Sequence, residues 1–114
     1  MEPMRLLVLS IALAPYLGFV AIDAWMHEKA RRVPRAEQWL HGGIAFTIGA
    51  FFVLVFSGAD IAAGILLLLS LPMMVVDEIG FHGHLSRRER LVHLAEGLSL
   101  LVFIGVWLWM SYRL

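Results

Sequence analysis

The sequence predicts an all-α integral membrane protein, with four transmembrane helices arranged as two pseudo-symmetric hairpins that form one bundle. Two observations lead there. The 114 residues are 61% hydrophobic and 16% charged, with a mean hydropathy of +0.82, against about 45–50% and about 25% in soluble domains. The apolar residues are also gathered into four runs, 6–22, 39–56, 61–76 and 98–112. A spanning helix takes about 20 residues, so each run reaches that length by taking in a few polar residues at one end. The same composition excludes a disordered chain, a coiled coil and a nucleic-acid-binding arm, because polar surface is scarce and the net charge is zero. With no cysteine there is no disulfide, thiolate zinc site, iron–sulfur cluster or thiol nucleophile. Any bound metal must be held by nitrogen and oxygen.

The first run has no charged stretch before it beyond Arg5 and no small-residue cleavage site, so it reads as a retained helix and not as a signal peptide. Pro15 and, later, Pro72 are expected to kink helices 1 and 3, which neighbouring helices tolerate in lipid. The charged stretch 28–35 is the first loop, with Pro34 suited to a first helical turn. After the second run, Ser57-Gly58-Ala59-Asp60 is a tight turn in which Gly58 ends one helix and Asp60 caps the next. The stretch 83–90 mirrors the first loop, and Ser86 with Glu89 reads as a capping box. The halves 6–56 and 61–112 thus look like an internal repeat within one domain. Lys29, Arg31, Arg32, Arg35, Arg87, Arg88 and Arg90 lie in the two long loops, whereas the other side has Arg5 and Arg113. The positive-inside rule then puts both loops in the cytoplasm and both termini outside. Trp107, Trp109 and Tyr112 are expected in the outer aromatic belt.

Chemistry is concentrated in the histidines. Four of the five follow an acid by four residues: Asp23–His27, Glu37–His41, Glu78–His82 and Glu89–His93. On a helix such pairs stack one turn apart on one face, and each would arise by chance with a probability of about 0.08. Two hairpins inserted in the same sense form a parallel repeat, which predicts that all eight groups meet at the cytoplasmic end. Helix direction sorts them by depth. Asp23, Glu78, His41 and His93 form a deep layer, His27, His82, Glu37 and Glu89 a shallow one, and Glu96 lies a turn deeper on the face of His93. His84 departs from the spacing and is assigned, with Glu96, to proton movement. Asp77 points about 100° away from Glu78 and is expected to touch a helix neighbour, not an ion. Gly42, Gly43, Gly80 and Gly97 are expected to let helices approach closely, and Met73-Met74 to pack in the core.

A charged group near a helix centre costs about 2.5–3.5 kcal/mol on insertion scales, and no Lys or Arg in the apolar runs offsets it. Structural metal sites return about 10–16 kcal/mol, so a bound divalent cation is the compact remedy. Imidazole and carboxylate without sulfur suit iron, with zinc or manganese as alternatives. Inward Glu and His on a pseudo-symmetric bundle resemble the carboxylate-type di-iron four-helix-bundle proteins of ferritin-like architecture, over residues 23–41 and 78–96. The resemblance implies two ions bridged by carboxylates. This chain departs from that pattern, which uses Glu-x-x-His, and from the histidine boxes of membrane desaturases, to which His82-Gly83-His84 is the nearest approach.

The expectation is therefore a membrane-embedded di-metal, first of all di-iron, oxidoreductase. It would act on O₂ or another small oxidant, or on a lipid-like substrate entering from the bilayer, with electrons from a quinol or a soluble cytoplasmic donor. The alternatives are a haem b electron carrier with axial His41 and His93, and a zinc-dependent membrane hydrolase. Metal transport would need polar groups along the outer half, where Ser10, Thr47, Ser70 and Ser99 are sparse. The small size favours a homodimer or a soluble partner, and nothing points to nucleic acid.

Overall fold

The computed structural model describes residues 2–30, 35–81 and 87–112, with the side chains of 27–30, 36–37 and 78–81 outside that description. Four helices account for nearly all of it: α1 (Pro3–Ala30), α2 (Arg35–Phe56), α3 (Asp60–Phe81) and α4 (Arg87–Tyr112). The shortest has 22 residues, about 33 Å at 1.5 Å per residue, which matches a hydrocarbon core of about 30 Å. Each is long and apolar enough to cross a membrane. The apolar runs extend as expected through polar turns: α1 continues past Ile22 through Asp23, and α4 starts at Arg87, well before Leu98. Both α1 and α3 remain continuous helices through Pro15 and Pro72.

The turn between α2 and α3 is a Schellman motif. Gly58 sits at φ +82°, its N–H donates to the Val55 carbonyl at 3.1 Å, and the Ala59 N–H donates to Leu54 at 2.9 Å. The first carbonyl of α3 to accept an N–H belongs to Ala59, from Ala63. Asp60 is therefore the first helical residue and not the N-cap, and its carboxylate lies where the helix dipole favours a negative charge.

Packing joins α2 to α3 and α1 to α4, so the main contacts cross between the two halves of the sequence instead of following them. The pair α1·α4 is antiparallel: Arg5 Nη2 donates to Ser111 Oγ at 2.9 Å near one end, and Asp23 meets His93 near the other. Its seam is a three–four stripe. On α1 it runs through Leu9, Tyr16 and Met26, all buried; on α4 it runs through Glu89, Leu100, Phe103 and Trp107. That spacing is the signature of ridges of one helix filling grooves of another. In α2·α3 the equivalent stripes are Ile48, Phe51 and Val55 against Ala63, Ser70 and Asp77, again buried.

Trp107 overturns its expected place in the aromatic belt. It is 1% exposed within the α1·α4 seam, whereas Trp109 and Tyr112 are 63% and 51% exposed. The stripe explains this, because Trp107 continues the series Leu100, Phe103 and Trp109 falls off it. Leu68, Leu69, Leu101 and Val102, by contrast, all face outward, as a lipid-facing surface requires. Among the glycines, Gly43 approaches the partner helix, its Cβ direction lying 3.5 Å from Met73 Sδ, while Gly42 and Gly97 meet open space. The expected close approach therefore applies to Gly43 and not to Gly42 or Gly97, and Gly80 lies outside the described side chains.

Candidate metal centre

Near the end of α1·α4 that carries the long charged loops, helix geometry brings three predicted residues together. Asp23 is two turns beyond Tyr16 on the buried face of α1. His93 and Glu96 continue the α4 stripe that begins at Glu89. His93 Nδ1 lies 3.8 Å from Asp23 Oδ2 and 4.0 Å from Glu96 Oε2. One ligand atom from each of Asp23, His93 and Glu96 falls within 4.8 Å of the others, and all three side chains are partly buried. Ligand atoms about 2.1 Å from a tetrahedral ion lie about 3.4 Å apart, so the two spacings from His93 need to close by about half an ångström. Among the described residues this is the one group of three or more with such a spacing. One imidazole and two carboxylates form a donor set suited to iron, manganese or zinc.

The α2·α3 pair holds a different arrangement. His41 Nε2 lies 2.7 Å from Asp77 Oδ1, and Asp77 is almost fully buried. Sequence spacing pairs His41 with Glu37, whose side chain lies outside the described residues, and expects Asp77 to touch a helix neighbour. The contact with Asp77 crosses between helices, to an acid that shares a heptad stripe with Ala63 and Ser70. The stripe was the available signal, since 63, 70 and 77 are seven apart.

Of the remaining predicted groups, Glu89 is 4% exposed on the α4 seam and lies outside the three-residue cluster. That burial is unlike a solvated capping residue; its expected partner Ser86 lies outside the described residues. So do His82 and His84, and the side chains of His27, Glu37 and Glu78. Tyr16 was not singled out in the sequence, yet it is buried and lies within electrostatic range of Glu96 and Asp23.

Hydroxyls elsewhere in the helices are satisfied locally. Ser10 donates to Leu6, Thr47 to Gly43 and Ile44, Ser70 to Leu67, and Ser99 to Glu96, each to a carbonyl of its own helix. Such bonds hide a hydroxyl from lipid and do not call for a polar pathway. Compared with protein-family models, curated proteins and solved structures, the chain matches none.

Proposed function

We propose that this is a membrane-embedded metalloprotein, an oxidoreductase whose cation is held in α1·α4 by Asp23, His93 and Glu96. The observation that carries the reading is the convergence of these three groups in a seam whose other buried residues are, Glu89 apart, Leu9, Tyr16, Met26, Leu100, Phe103 and Trp107. Two carboxylates side by side repel one another in a low-dielectric setting, and a divalent ion removes that repulsion. Iron is the first candidate and would supply one-electron chemistry toward O₂ or another small oxidant, with electrons from a quinol or a cytoplasmic donor. In this reading Asp23 and Glu96 bind and neutralise the cation, His93 fixes its position, and the apolar seam beyond Leu100 excludes water. The loop-bearing ends lie in the cytoplasm, with both termini outside.

A zinc-dependent hydrolase is the second reading, favoured by the ligand count: three protein groups leave a coordination position for water. A haem b carrier is disfavoured. His41 turns Nε2, the nitrogen an axial histidine commonly gives to iron, toward Asp77 Oδ1 at 2.7 Å. Elemental analysis of detergent-purified chain decides among these. Iron that is lost on Glu96→Gln supports the proposal, zinc in its place supports the hydrolase, and a Soret band would replace both with haem.

A further inference from the structure

The end of α1·α4 away from Asp23 and His93 carries a cavity of about 400 Å³ lined by Glu2, Met4, Arg5, Trp109 and Met110. That size lies within the range of about 300–1,000 Å³ usual for small-molecule sites. Helix ends build it. The Glu2 carbonyl accepts the Leu6 N–H at 3.0 Å, so Glu2 is the N-cap of α1 and Arg5 lies about one turn further on. Trp109 and Met110 come from the last turn of α4. Arg5 Nη2 donates to Ser111 Oγ at 2.9 Å, which fixes the guanidinium beside the cavity. Arg5 and Asp23 are about 27 Å apart along α1 at 1.5 Å per residue, so this cavity is separate from the metal centre.

We infer that the cavity binds the head of one phospholipid, a zwitterion with a phosphodiester for Arg5 and a primary ammonium for Glu2. Depth favours a lipid over a soluble ligand. The apolar span Pro3–Met26 has 24 residues, about 36 Å of helix against a hydrocarbon core of about 30 Å, so its end residues reach headgroup level. The exposed Trp109 suits that level too. Charge selects the head. A guanidinium keeps its charge whatever hydrogen bonds it makes, and its planar fork matches phosphate oxygens. Glu2, exposed at the rim, would repel a purely anionic head but accepts hydrogen bonds from an ammonium. One positive and one negative group in one cavity thus complement phosphatidylethanolamine. Phosphatidylglycerol lacks the cation, and the quaternary nitrogen of phosphatidylcholine has no N–H to donate.

The test is native mass spectrometry of the full chain in detergent, titrated with these three lipids carrying identical acyl chains. The wild-type chain is expected to retain one phosphatidylethanolamine at about tenfold lower concentration than either competitor, as a charge-assisted hydrogen bond allows. Glu2→Gln should erase that preference and raise phosphatidylglycerol at least to parity. Arg5→Gln should weaken all three lipids by about tenfold, with Arg5→Lys keeping most of the binding. Should loss of the Ser111 contact prevent Arg5→Gln from folding, Glu2→Gln, at an exposed position, carries the test alone. Equal retention of the three lipids by the wild-type chain overturns the inference, as does a preference that survives Glu2→Gln. Displacement of the lipid by an equal concentration of soluble phosphoethanolamine also overturns it, by assigning the cavity to a free phosphate ester. None of these outcomes depends on a bound cation.

Discussion

Asp77 shows what sequence spacing can and cannot read. The four-residue acid–His pattern selects acids on the same helix, but among the described residues both Asp–His contacts cross between helices: Asp23 to His93 and Asp77 to His41. Asp23 and His93 were legible because each lies on an apolar stripe as well as on the pattern, and Glu96 because it shares the face of His93, though the sequence assigned it to proton movement and not to ligation. Asp77 lies on the stripe alone, and neighbouring Glu78 met the pattern. Removing one partner from a buried polar contact costs about 1–3 kcal/mol. Asp77→Ala is therefore expected to lower the unfolding midpoint of the detergent-solubilised chain, with His41→Ala having a similar effect and the double variant little more than either. Trp107 makes a steeper case. Truncating a fully buried Trp costs about 3–5 kcal/mol, so Trp107→Ala should destabilise strongly, whereas Trp109→Ala, on the outer surface, should change the midpoint little. Equal effects of the two would contradict the seam.

At the scale of the helix, the four segments and the α2–α3 turn were readable because hydrophobic runs and Gly58 carry local physics. Which helix packs with which was not, since every face of these helices is apolar enough for lipid and periodicity then says little about partners. Gly58 at φ +82° holds a conformation that costs an L-residue about 1–2 kcal/mol. Gly58→Ala should lower thermal stability by about that amount, with Gly58→Asn, which tolerates this region better, falling in between. Both helices run on through Pro15 and Pro72, consistent with the capacity of membrane helices to absorb the lost hydrogen bond.

For the whole molecule, composition alone separated a bilayer protein from a soluble one, and the lipid-like exterior follows from it. Orientation is a matter of charge placement. A single cysteine at Arg88 is expected to react with membrane-impermeant maleimide from the cytoplasmic side, and one at Glu2 from the outside; the reverse pattern would invert the topology. Chelation should matter as well. If a cation offsets the crowding of Asp23 and Glu96, stripping it with EDTA should lower the unfolding midpoint of the wild-type chain and leave that of Glu96→Gln almost unchanged.

The α1·α4 seam is pinned at both ends, by Arg5 with Ser111 and by Asp23 with His93, while the stretch between is hydrocarbon and aromatic ring. Sliding one helix past the other by a turn would strand a carboxylate against Leu or Phe at one end and a guanidinium at the other. Translation along the common axis is therefore closed to this pair, much as a buried polar residue fixes alignment in a coiled coil. Relative movement of the two helices is then a pivot or a splaying of the two rods, with the pins as fulcrums.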